Sequence, residues 1–183
     1  MRIAISSKSG CGNTTVSTLL AKKLGYPMVN FTFRQMAEER GLDFWTFCRM
    51  AENDLNIDRE LDRRQVEMAM KEENCILASR LAIWMLEKAD FKVYLTASAE
   101  TRAKRILKRE GGSFDQRYNE TTQRDKNDSN RYMLCYGIDN SKPEEVADLV
   151  IETDNLTPEE IVSKILEKIE EKRNKLVIIL NKR

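Results

Sequence analysis

A Ser/Gly-rich turn near the N-terminus has the residue types of a phosphate-binding loop. Residues 7–14 read SKSGCGNT, after a short apolar run and before a helical pattern. Backbone N–H groups in such a loop, together with the positive end of the following helix, can bind phosphate oxygens. Gly10 and Gly12 keep this stretch of backbone permissive. The order of strand, loop and helix therefore predicts a phosphate cradle.

The loop departs at two positions from the pattern G-x-x-x-x-G-K-[ST], in which a lysine reaches the β- and γ-phosphates. Ser7 stands in place of the first glycine, and Asn13, which carries no charge, stands in place of the lysine. Lys8 is a candidate substitute for the missing cation. The alternative is a plain turn between a strand and a helix. The candidate ATP phosphate-binding residues are Ser7, Lys8, Ser9, Gly10, Cys11, Gly12, Asn13, Thr14 and Thr15, with the Thr14 hydroxyl as the candidate Mg²⁺ ligand.

A second charged pattern suits a helix that closes over phosphates. Three arginines recur every seven residues, so they share one stripe of a helix, and Asp128 lies four residues after the second of them. Guanidinium groups bind phosphate oxygens in pairs of hydrogen bonds and neutralise developing charge. Gly111-Gly112 precedes this stretch and predicts a hinge, and a solvated helix is the alternative. The three arginines are Arg117, Arg124 and Arg131.

Two further groups of charged residues are candidates for ligand binding. Asp58 and Asp62 are four residues apart and share a helix face, with Arg59 and Arg63 on a neighbouring face; a solvated, salt-bridged helix is the alternative. Arg80 directly follows an apolar run, so we expect it at the carboxyl end of a strand, where open α/β sheets bind ligands. As a helix-starting residue it would oppose the helix dipole, which favours a functional role.

Bulk composition narrows the classes of function. The 183 residues predict one domain with a real core. Lys and Arg number 31 against 30 Asp and Glu, and this near-neutral balance argues against a broad nucleic-acid or membrane surface. The absence of histidine excludes Ser–His and Cys–His mechanisms. With no apolar stretch near the roughly 20 residues of a membrane span and no signal-peptide pattern, we expect a cytoplasmic protein.

The four cysteines are widely spaced and form no CxxC pair, so neither a disulfide scaffold nor a zinc site is predicted. They fit a reducing cytosol. Cys11 lies where the loop meets the helix, and a helix dipole there can lower the pKa of a thiol. Redox sensitivity at Cys11 is one interpretation, and a small residue that fills the loop is the other.

Apolar patterns predict an α/β chain of alternating strands and helices. Such alternation indicates a five-stranded parallel sheet with helices on both faces, as in P-loop NTPases. The run LVIIL near the C-terminus could be an edge strand or a disordered end, and the pattern leaves this open. The predicted strands are 3–5, 28–31, 75–78, 91–97 and 148–153, and the predicted helices are 14–24, 32–40, 43–52, 57–72, 80–89, 98–110, 114–136 and 157–172.

Taken together, the chain resembles the cytidylate kinases, nucleoside monophosphate kinases, and in particular their short archaeal form. Four segments carry the resemblance: IDRELDRRQVE (57–67), SRLAIWML (79–86), YLTASAETRAKRILKREG (94–111) and CYGID (135–139). The resemblance implies one kinase domain over 1–172, with a helical monophosphate-binding segment at about 30–72 and a helical lid at about 111–137, and leaves a C-terminal tail at 173–183.

The resemblance also implies roles residue by residue. Arg124, Asp128 and Arg131 keep the spacing of the family's lid arginines and its ribose-contacting aspartate. Arg34 and Arg80 match arginines that grip the monophosphate, and the segment of Asp58, Arg59, Asp62 and Arg63 is expected to help read the base. The catalytic candidates are therefore Arg124, Arg131 and Lys8, and the monophosphate-binding candidates are Arg34, Arg80, Asp58, Arg59, Asp62, Arg63 and Asp128.

The implied activity is phosphoryl transfer from Mg²⁺-ATP to CMP or dCMP by a monomer, with a dimer as the alternative. The short form often has Thr in place of the loop lysine, so Asn13 is a comparable polar replacement, whereas Ser7 and the stretch NFTFR (30–34) are unusual. Three alternatives stay open: a kinase for another monophosphate such as UMP, AMP or dTMP, a nucleotide-binding protein with weakened or lost catalysis, and a structural domain in an assembly.

Overall fold

Five strands form one sheet in the part of the chain that the structure, a computed structural model, describes, residues 1–180. The strands are β1 (Arg2–Ser7), β2 (Met28–Val29), β3 (Cys75–Ala78), β4 (Phe91–Thr96) and β5 (Leu149–Glu152). Their order across the sheet is β2-β3-β1-β4-β5, and every neighbouring pair is parallel. All carboxyl ends therefore meet at one edge, and the predicted five-stranded parallel sheet is confirmed.

Helices fill the connections between these strands and cover both faces of the sheet. They are α1 (Asn13–Leu24), α2 (Phe33–Glu39), α3 (Phe44–Asn53), α4 (Leu55–Lys71), α5 (Ala82–Met85), α6 (Ala99–Glu110), α7 (Phe114–Tyr136) and α8 (Pro158–Leu180), with a 3₁₀ turn at Pro143–Glu145. No helix within residues 1–180 is long and apolar enough to cross a membrane.

The central strand β1 contributes to two cores because its side chains alternate between the faces of the sheet. Ile3 and Ile5 join the core that includes Leu20 of α1 and Ile165 of α8. Ala4 faces the opposite way, into the core under α4 and α5. The chain passes from β1 to β2 on one side and places β4 on the other, so the carboxyl end of β1 lies at the point where ligands bind in open α/β sheets.

The segment between β2 and β3 has an apolar core of its own. Helices α2, α3 and α4 bury aromatic and aliphatic side chains against each other, away from the two sheet cores. A capping box between Thr32 and Gln35 fixes the start of α2. This packing lets the segment form one wall beside the sheet edge. The buried residues are Phe31, Met36, Ala37, Phe47, Ala51, Ile57 and Leu61.

Two helices end more than two residues away from the predicted position. The predicted helix 80–89 is only Ala82–Met85, because the short crossover from β3 to β4 must turn back to a parallel neighbour of β1. The helix expected to end near 172 continues to Leu180, since neither Gly nor Pro interrupts it after Pro158. The apolar run at its end is therefore neither an edge strand nor a disordered end, and residues 181–183 of the predicted tail lie outside the described residues.

A core substitution in α1 tests the first of these cores. We expect Leu20→Ala to lower the free energy of unfolding by about 2–5 kcal/mol, because Leu20 is fully buried between the sheet and α8. Lys22→Ala, at an exposed position of the same helix, should change it by less than about 0.5 kcal/mol. Urea unfolding of both variants measures the difference. Equal effects of the two would contradict the core assignment.

Candidate active site

A large cleft opens at the carboxyl edge of the sheet. The loop after β1, the α2–α4 segment and helix α7 form its walls. The cleft encloses about 1670 Å³, more than the roughly 300–1000 Å³ of a pocket for one small ligand. It therefore has room for two nucleotides side by side.

The loop after β1 presents a helix N-terminus to this cleft. All of its candidate residues, 7–15, line the cleft. Gly10 and Gly12 have φ values of 83° and 92°, in the left-handed region that favours glycine. Gly12 precedes α1 without any side-chain cap, which leaves the first N–H groups of the helix for an anion. The geometry is that of a phosphate cradle.

Side chains behind the loop hold its carbonyl groups. Arg102 donates to the Ser9 carbonyl (3.2 Å), Arg105 to the Gly10 carbonyl (3.4 Å), and the Thr153 hydroxyl to the Cys11 carbonyl (3.3 Å). With these carbonyls bound on the protein side, N–H groups are the polar groups that the loop can offer to an anion. No local sequence pattern marks Arg102, Arg105 or Thr153, because their partners are backbone atoms some 90 to 140 residues away.

The two residues that depart from the phosphate-loop pattern have structural partners. The Ser7 hydroxyl donates to the Lys8 carbonyl at 2.9 Å. The side-chain amide of Asn13 donates to the Ile5 carbonyl (3.2 Å) and the Ser79 carbonyl (3.3 Å), so it ties β1 to the loop after β3. Both amide hydrogens of Asn13 thus face the protein, which leaves its backbone N–H for a phosphate.

The surroundings of Cys11 argue against the redox interpretation. Its side chain is buried. Burial raises the pKa of the Cys11 thiol to about 11, although the nearby charges of Arg102 and Arg105 oppose this shift. Burial thus opposes the lowering of the thiol pKa by the helix dipole, which favours the other interpretation, a small residue that fills the loop.

Three arginines converge on one carboxylate between helix α7 and the end of β3. Arg80 pairs with Asp128, Arg131 lies 3.6 Å from it, and Arg124 lies 4.0 Å from it. The charge of Arg80 lowers the pKa of Arg124, which marks a concentration of like charge. Arg124 keeps 58% of its side chain exposed, against 28% for Arg80. This cluster can attract a phosphate group.

Two carboxyl groups line the cleft from the inner face of α4. Burial raises the pKa of Asp58, against the opposing charge of Arg131, and raises that of Asp62 to about 6. Arg131 donates to Asp58 at 2.9 Å, and Tyr136 donates to Asp62 at 2.7 Å. Asp58 Oδ2 is buried and accepts no hydrogen bond within the described residues. It is thus free to accept one from a ligand.

Three arginine candidates lie outside the cleft lining, which does include Arg117. Arg59 is exposed and donates to Asn56 at 3.1 Å, and Arg63 is exposed and pairs with Glu67 at 2.5 Å. They follow the two aspartates by one residue each, so they point about 100° further round α4, toward solvent. Arg34 is also exposed, with its guanidinium 4.5 Å from the centre of the Phe44 ring.

Aromatic side chains also line the cleft, and the Arg131 guanidinium lies 6.0 Å from the centre of the Phe33 ring. Phe31, Phe33 and Phe44 line the cleft near the two buried aspartates. Gln65 donates to the Phe31 carbonyl at 2.6 Å and so holds this stretch against α4. An apolar, ring-lined wall beside carboxylate acceptors suits a flat heterocycle with N–H donors.

Comparison with known proteins identifies the family. Residues 2–155 match the model of the cytidylate kinase-like family. A protein named cytidylate kinase 2 from Borreliella afzelii is 44% identical over 95% of this chain and 98% of its own. A cytidylate kinase from Pyrococcus abyssi is 42% identical over 86% of this chain and 87% of its own.

The fold is shared more widely. The structure of shikimate kinase from Bacteroides thetaiotaomicron superposes with a TM-score of 0.63 at 16% identity, over 93% of this chain and 98% of that one. Identity this low shows only the common P-loop kinase fold, which confirms the fold class predicted above. The resemblance found in the sequence is confirmed as well, and the chain belongs to the cytidylate kinase-like family.

Proposed function

We propose that the protein transfers the γ-phosphoryl group of ATP to CMP or dCMP, giving ADP and CDP or dCDP. One observation carries this: a single cleft holds an anion-binding loop at a helix N-terminus and, facing it, the cluster of Arg80, Arg124 and Arg131. A protein that only binds a nucleotide has no use for both. The names of the relatives support the acceptor. A cytoplasmic monomer is the expected form.

Residues 8–15 would hold the ATP phosphates. Their N–H groups and the start of α1 supply the hydrogen bonds, and Lys8, the one cation of the loop, supplies the charge that Asn13 lacks. ATP reacts as its complex with a divalent metal ion, for which Mg²⁺ is the candidate. Mg²⁺ usually takes few protein ligands beside phosphate oxygens and waters, and the exposed Thr14 hydroxyl at the first turn of α1 fits such a ligand.

Arg80 and Arg131 would hold the acceptor phosphate, with Arg34 reaching it by rotation of its exposed side chain. Arg124, the most exposed of the lid cluster, would turn onto the transferring group and neutralise its charge. The reaction needs no covalent intermediate, because in-line positioning and charge stabilisation suffice. Closure of α7 would also exclude water, which could otherwise accept the phosphoryl group.

Asp58 and Asp62 would read the base. Both are buried, and Asp58 Oδ2 has an unused acceptor site. The exocyclic amino group of cytosine is a hydrogen-bond donor, and carboxylates accept from it. Uracil places a carbonyl oxygen at the same position, so two acceptors would face each other there. The ring would lie against Phe33 and Phe44, and Asp128 would contact the ribose.

A panel of acceptors tests the proposal directly. We would incubate the protein with Mg²⁺-ATP and each common nucleoside or deoxynucleoside monophosphate and follow ADP release. Rapid turnover with CMP or dCMP alone is expected. Turnover with another monophosphate instead would contradict the base assignment. Binding without turnover of any acceptor would show a nucleotide-binding protein that has lost its chemistry.

Removal of the lid guanidinium tests the catalytic role of α7. We expect Arg124→Ala to lower kcat at least tenfold, about 1.4 kcal/mol of transition-state stabilisation, because no other exposed guanidinium of the cluster can replace it. Lys126→Ala removes an exposed cation two residues along the same helix and should leave kcat unchanged. Steady-state rates with CMP measure both. An unchanged kcat for Arg124→Ala would refute the lid assignment.

The raised pKa of Asp62 predicts how stability depends on pH. The folded protein favours the protonated carboxyl, so this stabilisation is complete below the unfolded pKa of about 3.8 and is lost as pH rises to about 6. Relative to Asp62→Asn, the wild-type free energy of unfolding should fall on the order of 2–3 kcal/mol between pH 4 and 7.

Urea unfolding at several pH values in that range measures this difference. Asp115→Asn serves as the control, because Asp115 is an exposed carboxylate at the start of α7. A wild-type minus Asp62→Asn difference that stays constant with pH would contradict the raised pKa.

A further inference from the structure

Arg102 is the point where the phosphate-binding loop and the lid helix meet through one side chain. Its guanidinium donates to the Ser9 carbonyl of the loop at 3.2 Å. The same group makes a two-pronged pair with Asp125 on α7, at 3.2 and 2.6 Å. Arg102 itself belongs to neither of these two elements, because it is part of α6. A single planar group thus spans both walls of the ATP side of the cleft.

The loop backbone rests directly on this residue. A methyl group added at Gly10 would lie 2.9 Å from Arg102 Cβ and 3.0 Å from its Cα. Such a distance is shorter than any normal carbon–carbon contact. A shift of the loop toward α6 at Gly10 therefore has to move Arg102, and the close approach requires glycine at this position.

The pair with Asp125 is shielded from water. The side chains of Arg102 and Asp125 are only 6% and 13% exposed. Buried charges repay their loss of hydration only in good geometry, so a two-pronged pair tolerates little displacement of either partner. Movement of Arg102 is thus passed on to Asp125 rather than absorbed by solvent.

Asp125 belongs to the part of α7 that carries the arginine cluster. It follows Arg124 directly and precedes Asp128 by three residues, and it lines with Lys8 and Arg80 a small cavity beneath the lid. Its position therefore sets where this turn of α7 stands above the loop. Arg105 makes a contrast, because within residues 1–180 it donates hydrogen bonds to Gly10 of the loop and to Thr153 but to no residue of α7.

We propose that Arg102 and Asp125 are positioning residues that couple ATP binding at the loop to the placement of α7. When phosphates fix the loop, Arg102 and Asp125 hold α7 where Arg124 and Arg131 reach the transferring group and the acceptor. Neither residue of the pair touches a substrate. This inference rests on the proposed kinase function and adds to it the link between the two nucleotide sites.

The coupling can be measured as a ratio of two affinities. Calorimetric titration gives the Kd of a non-hydrolysable ATP analogue with Mg²⁺, once without CMP and once with saturating CMP. In the wild type, CMP should tighten binding of the analogue severalfold, and by reciprocity the analogue tightens CMP equally. In Asp125→Asn, the factor by which CMP tightens binding of the analogue should be at least threefold smaller. We also expect kcat to fall at least tenfold, with a smaller change in the KM for ATP.

Arg102→Lys is the second variant, because it keeps the buried positive charge but loses the two-pronged geometry; it should reduce the same ratio. Asp115→Asn, on an exposed face of α7, is the matched control and should preserve the ratio. Only folded protein binds the nucleotides in these titrations, so the ratio of the two Kd values does not change when a variant is merely less stable.

Lowered thermal midpoints in Asp125→Asn and Arg102→Lys with an unchanged ratio would overturn the inference and leave the pair a purely structural role. A wild-type ratio of one would overturn it too. If the kinase proposal itself is wrong, the wild-type protein will not turn over CMP. This result distinguishes that failure from an absence of coupling.

Discussion

The cleft depends on the neutralisation of positive charge by two buried carboxylates. Arg80 comes from the end of β3 and Arg131 from α7, and like charges this close repel each other. Asp128 contacts both, and Asp58 on α4 takes the inner side of Arg131. These pairs link three elements: the end of β3, α4 and α7. Phosphate groups carry the same sign as these carboxylates, so the same arginines can also attract a phosphate group.

The loop after β1 is also held in shape by side chains of neighbouring elements. The backbone geometry of the loop depends on the side chains behind it. Arg102, Arg105 and Thr153 bind three successive carbonyls. Asn13 contributes from within, through its link between β1 and the loop after β3. The shape of the loop therefore does not depend on a lysine at position 13.

Most elements of the fold were predictable from the chain. The polar stretch 114–136 is α7 to the residue, since its caps Ser113 and Gly137 mark both ends. The strands follow from short apolar runs. Helix α5 was predicted too long, because the geometry of the crossover to β4, and not local propensity, ends it. The four-and-seven spacing of Arg124, Asp128 and Arg131 correctly indicated side chains that meet, since helical periodicity is a local property.

The sequence by itself determined the alternation of strands and helices, the loop at the end of β1 and the family, because each depends on residues close together along the chain. Only the tertiary structure decided which charged side chains line the cleft. Periodicity separates the aspartates of α4 from Arg59 and Arg63 but cannot say which face turns inward. Packing against Phe31 and α7 selects the aspartates, and the pairing of Arg102 with Asp125 exists only because folding brings α6 and α7 together.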